Sequence, residues 1–95
     1  MKIIAISSRR EGVTPEKAHE FQKQEARRVW ELYTENKLRE IYFRKDRPGG
    51  VLVLECDSVD QAREMLGSLP MVKNGLTQFE FIPVGPYDRW SALFA

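Results

Sequence analysis

Glu25 is the residue whose position most calls for a chemical explanation. In the stretch FQKQEARRVWELY, residues 21–33, the apolar positions recur at helical spacing. At about 100° per residue, Ala18, Phe21, Gln22, Glu25, Ala26, Val29, Leu32 and Tyr33 share one face, and Glu25 falls near the middle of it. Lys23, Gln24, Arg27, Arg28 and Glu31 lie mostly on the other side. An ionised carboxylate that leaves water must either find a partner or raise its pKa and take up a proton. Two structural readings follow: Glu25 pairs with Arg39 or Tyr42, or the helix turns enough to bring it to solvent. The functional reading is a carboxylate facing a cavity between helix and sheet, a general base tuned by partial burial. Phe21 and Gln22, on the same face, would then help to hold the ligand, and Arg39 or Tyr42 would act on the charge that develops when a proton is removed.

Other chemistry-bearing residues stand alone. His19 is the single histidine and lies at the margin of the stripe, where it reads as a surface side chain. Cys56 is the single cysteine; it has no metal-ligand spacing around it and no internal disulfide partner, and it reads as a small buried hydrophobe. The sequence holds no nucleophile elbow, phosphate loop, metal box or paired-carboxylate motif, so no cofactor and no metal are expected.

These side chains need elements to position them. KIIAISS is apolar on both faces and β-branched, which suits a strand covered on both sides. After the charged loop SRREG, Thr14 can cap a helix with Pro15 at its first position, and Asn36 can end it in a left-handed conformation. LREIYFRKD and VLVLEC, joined by the turn RPGG, read as a β-hairpin. Leu38 and Tyr42 on one face, with Ile41 and Phe43 on the other, put apolar bulk on both sides of the first of these strands. A second helix starts at Ser58, with Gln61 at capping-box spacing; Val59, Ala62, Leu66 and Leu69 form its stripe, and Pro70 ends it. LTQFEFIPV is a fourth strand. The order β-α-β-β-α-β predicts an α+β, ferredoxin-like domain over residues 1–95: a four-stranded antiparallel sheet with two helices on one face. The other face, apolar but without helices, predicts a homodimer packed sheet to sheet, or a higher oligomer built on it. A C-terminal aromatic tail from about residue 86, with Tyr87, Trp90, Leu93 and Phe94 at helical spacing, is placed to reach the partner.

Composition excludes several classes. Among 95 residues, 15 basic and 14 acidic side chains give a formal charge of +1. The basic residues are dispersed, without the clustered excess of a nucleic-acid binder. The run RKDR at 44–47 reads as a solvated hairpin end. No stretch approaches the roughly 20 apolar residues that a membrane-spanning helix needs, and the N-terminus lacks a signal peptide's apolar region. The chain therefore reads as soluble and cytoplasmic, with a small-molecule ligand as its expected partner besides itself.

The sequence resembles muconolactone isomerase and its relatives among the dimeric α+β-barrel proteins, over nearly its whole length. TPEKA at 14–18 is similar to the opening of that family's first helix. Without a gap, Glu25, Leu32 and Glu35 then fall on matching residues. Arg39 matches an arginine of the second strand, and Tyr42 replaces an aromatic residue there. The Ser58-Val59 and Leu69-Pro70 pairs recur at the two ends of the second helix. The resemblance implies a cofactor-free isomerase that moves a proton within an unsaturated lactone, with Glu25 as the base. Two departures accompany it: Gln22 stands where the family has a lysine, and VGPYDRW replaces a histidine-containing segment near the C-terminus. If those two residues bind the substrate's carboxylate in the family, this chain uses a different lactone or carbonyl metabolite. Two other functions fit the same pattern: a small-ligand-binding or dimeric interaction module without catalysis, and a quinol-type monooxygenase of the same fold.

Overall fold

A computed structural model describes all residues from Met1 to Ala95. The strands are β1 (Lys2–Arg9), β2 (Leu38–Phe43), β3 (Gly50–Glu55) and β4 (Thr77–Val84). They form one antiparallel sheet in the order β2-β3-β1-β4. Between β1 and β2 run α1 (Pro15–Glu20) and α2 (Gln22–Thr34); between β3 and β4 run α3 (Val59–Gly67) and the single turn α4 (Pro70–Lys73). This is the ferredoxin-like α+β fold expected from the order of elements. No helix is long and apolar enough to cross a membrane.

The core lies between the sheet and the helices. Ile3 and Ala5 of β1 and Leu52 and Leu54 of β3 point to that side and are buried with Leu32 of α2 and Ala62 and Leu66 of α3. Cys56 belongs to the same cluster, and burial pushes its thiol pKa up, so it is a core residue without thiolate character. The opposite side of the sheet carries Ile4, Ile6, Val51, Val53, Tyr42 and Ile82, as the pairings Ile4↔Val53, Ile6↔Val51 and Tyr42↔Val51 require. Nothing within the chain covers that side with a helix.

Local chemistry explains where several elements begin and end. The Thr14 hydroxyl accepts from the Lys17 N–H at 3.2 Å and the Ser58 hydroxyl from the Gln61 N–H at 3.0 Å, so both helix starts are capped. Asn36 adopts φ 62°, with its own N–H on Tyr33 O and the Lys37 N–H on Leu32 O, both at 3.1 Å. That pair of bonds closes α2 in a left-handed cap.

Four features depart from the sequence expectation. The first helix is interrupted at Phe21 (φ −101°, ψ 0°), which ends α1 and starts α2. The second helix stops at Gly67, and Pro70, expected as its terminator, instead opens α4. On β2 a bulge between Leu38 and Glu40 leaves Leu38 opposite Leu54, and Ile41 opposite Leu52. Leu38 therefore lies on the helix side of the sheet, the side of Ile41 and Phe43, away from Tyr42; one extra residue reverses the alternation. Its burial, with 1% of its surface exposed, supplies the driving force. Finally, the tail forms a 3-10 helix over Arg89–Phe94, with Tyr87 edge-on to Trp90 at 4.9 Å and the large apolar residues solvent-exposed.

Candidate active site

A cavity of about 630 Å³ opens between the helices and one end of the sheet. That volume lies within the range typical of small-molecule sites. Its floor is the helix side of the sheet, with Ser7, Gly50, Leu52 and Phe79; its roof is α1 and α2, with Ala18, Gln22, Glu25 and Val29; Leu69, Met71 and Leu76 close the far side. Close approach of the hairpin to β1 shapes the floor. Ser7 Oγ accepts from the Gly50 N–H at 2.6 Å. Gly49 stands at φ 143°, and a Cβ there would lie 2.4 Å from the Ser7 carbonyl oxygen, so only glycine lets the two strands meet at this point.

Glu25 lies on the inner face of α2 and lines this cavity, half-buried. Its Oε1 accepts a hydrogen bond from the Met71 N–H at 3.0 Å. No cation pairs with it: the ion pairs of α2 run from Arg28 to Glu31 and Glu35. Burial raises its pKa from the ordinary glutamate value, and the Met71 N–H opposes part of the rise. Both effects have plain causes, since desolvation disfavours the charged form and a donor to the carboxylate favours it. The second oxygen, Oε2, has no partner within the chain. The arrangement is chemically suited to take up a proton from a bound molecule.

The other residues singled out from the sequence divide into two groups. Gln22, one turn before Glu25, lines the cavity, and so does His19. Tyr42 reaches its rim, but its side chain belongs to the opposite side of the sheet, where the hydroxyl donates to Glu40 and is held at a raised pKa by that bond. Arg39, at the β2 bulge, does not line the cavity; its charge falls near Glu55, whose pKa it helps to lower. Phe21 is likewise outside the lining, with the Lys17 ammonium 5.6 Å from its ring centre. Thus neither Arg39 nor Tyr42 is Glu25's partner. That role belongs to a backbone N–H 46 residues away in sequence, for which sequence patterns carry no signal. Among the lining residues that sequence did not single out, Arg9 was hidden in a charged loop, although the alternation of β1 extends to it, while Ser7 and Ser8 end a strand with no base near them in sequence.

No family model matches the chain, and no curated protein matches it. The solved structure of 5-chloro-2-hydroxyhydroquinone dehydrochlorinase from Burkholderia phenoliruptrix AC1100, in complex with 2,5-dihydroxybenzoquinone, is similar to it: the TM-score is 0.73 at 17% identity, over 90% of this chain and 94% of that one. At that identity the likeness establishes a shared fold.

Proposed function

We propose that this chain is a cofactor-independent enzyme of the isomerase or cyclase kind, moving a proton within a small unsaturated lactone or carbonyl metabolite, with Glu25 as general base. The observation that carries the reading is Glu25 itself: a carboxylate in a small-molecule-sized cavity, unpaired with any cation and raised in pKa by burial. Removing a proton next to a carbonyl group needs a base poised toward neutrality and a donor for the enolate oxygen. Met71 N–H fixes one carboxylate oxygen and leaves the other for the substrate proton. The donor role assigned from sequence to Arg39 or Tyr42 falls instead to groups that line the cavity, the Gln22 amide and the His19 ring. After the proton has moved to Glu25, the same carboxyl can return it to a second carbon, which completes an isomerisation without a cofactor.

The resemblance of the first helix to muconolactone isomerases supports this role for Glu25. A dehydrochlorinase of the same fold, acting on a small oxygenated ring, is in keeping with small-molecule chemistry in such a cavity. We further propose that the uncovered apolar side of the sheet pairs with a second copy, as its branched residues suggest. The reading is tested in deuterium oxide with muconolactone and simple butenolides as probes, by following deuterium incorporation next to the carbonyl by NMR. With the protein present the lactone should incorporate deuterium above the buffer rate, and Glu25→Gln should lose about 100-fold or more of that rate, the usual contribution of a general base. A chain that binds these lactones without exchange would be a ligand-binding module, the reading favoured if the Met71 bond is Glu25's whole purpose.

A further inference from the structure

We infer that the Ser7 hydroxyl is the fixed hydrogen-bond donor of the Glu25 cavity: it holds the carbonyl oxygen of the bound molecule from the floor, opposite the base. This rests on the proposed role of the cavity as a site for carbonyl-bearing molecules and adds the residue that orients them.

The end of the β1–β3 ladder creates the geometry. Its last pair is Ile6↔Val51. One residue beyond it, the Gly50 N–H turns to a side chain, and Ser7 Oγ accepts it at 2.6 Å. Alternation puts Ser7 on the same side of β1 as the core residues Ile3 and Ala5, opposite Phe79 of β4, so its side chain joins the cavity floor. A hydroxyl oxygen that accepts one bond still has its own proton to give. The acceptor it faces within the chain, Gly50 O, lies 3.5 Å away, beyond the roughly 2.5–3.0 Å of an O–H···O bond. The proton is therefore available to a molecule in the cavity.

Other hydroxyls of the chain do not combine these features. Ser68 and Thr34 give their protons to Met65 O and Glu31 O at 2.6 and 2.9 Å. Thr14 and Ser58 accept from backbone N–H groups, but at exposed helix starts. The Tyr42 hydroxyl, at the cavity rim, is engaged by Glu40. The half-buried polar side chains that line the cavity are Ser7, Glu25 and Thr77, and of the two hydroxyls that of Ser7 is held in place by the chain itself. Gln22 and His19 offer donors from the exposed roof; Ser7 offers one whose position is set before a ligand arrives. Accepting the Gly50 N–H also polarises the hydroxyl and strengthens it as a donor. A carbonyl oxygen held there gains negative charge when Glu25 removes a neighbouring proton, and a donor already aimed at it stabilises that charge without rearranging.

The probes are γ-butyrolactone and tetrahydrofuran, rings of the same size that differ in the carbonyl oxygen, and binding is read from backbone amide shifts in NMR titrations at neutral pH. The lactone should bind about fivefold more tightly than the ether, the usual worth of one neutral hydrogen bond. It should also move the Gly50 amide proton downfield, because a hydroxyl that donates its proton accepts more strongly at its oxygen; the ether should leave that proton in place. Ser7→Ala should reduce the preference to near unity, Ser7→Thr, which keeps the hydroxyl, should retain it, and Glu25→Gln should leave it intact. Equal affinity for the two probes, no binding of the lactone, the same Gly50 shift with both, or an unchanged preference in Ser7→Ala would each overturn the assignment. If Ser7→Ala does not fold for want of an acceptor for the Gly50 N–H, the Gly50 shift in the parent protein decides the question, since a purely structural Ser7 predicts no difference between the probes. Because the readout is equilibrium binding, an absence of deuterium exchange leaves this result standing, whereas equal binding of the probes beside intact exchange removes Ser7 alone.

Discussion

Replacing Glu25 by glutamine and by alanine should separate the carboxylate's hydrogen bond from its charge. Glutamine keeps an oxygen where Oε1 now accepts from the Met71 N–H at 3.0 Å and removes a charge that burial disfavours. Alanine removes the acceptor and leaves a half-buried amide donor without a partner, which costs about 1–3 kcal/mol. For a domain of this size each kcal/mol moves Tm by about 4–8 °C. At pH 7 Glu25→Ala should therefore melt at least about 4 °C below the parent, while Glu25→Gln should match or exceed it. The pH dependence has a defined sign. The folded pKa of Glu25 lies above its unfolded value of 4.5, so its contribution to stability is complete below that pH and is lost as pH rises through the folded value. Glutamine does not titrate, so the difference between Glu25→Gln and the parent should shift toward the variant on going from pH 4 to pH 7. Thermal unfolding followed by circular dichroism at both pH values measures all of this. A Glu25→Gln variant that loses as much stability at pH 7 as Glu25→Ala would mean that the charge itself is stabilised, and would refute the argument that burial raises this pKa.

Two further outcomes follow from the fold and the proposed assembly. Gly49→Ala should destabilise the domain by about 2 kcal/mol or more, because its Cβ would meet the Ser7 carbonyl oxygen at 2.4 Å at a backbone angle that side chains rarely adopt; urea unfolding checks this. If the uncovered side of the sheet is a self-interface, the protein should elute as a dimer or larger by light scattering, and Val51→Asp, which puts a charge at the centre of that side, should shift it to monomer.

How much of this was legible in the sequence depends on the range of the forces involved. Helix starts at Thr14 and Ser58 and the stop at Asn36 depend on groups within a few residues, and pattern alone located them. The ferredoxin-like fold, with its four-stranded antiparallel sheet, followed from the β-α-β-β-α-β succession. The bulge before Glu40 was not legible, because its cause is the pull of Leu38 into a core assembled from distant strands. Neither was the break at Phe21, where no proline or glycine marks the chain. Within the candidate site, helical periodicity put Glu25 and Gln22 on the inner face, but it could not exclude Arg39 and Tyr42, whose orientations depend on that same bulge. The Met71 N–H is a backbone group, which no side-chain pattern can reveal.

The central claim is that burial raises the pKa of Glu25, and the most direct measurement is the titration of its side-chain carboxyl carbon by NMR in the ligand-free protein. The account predicts a midpoint above the ordinary glutamate value of 4.5. A Glu25 midpoint at or below it would contradict the account.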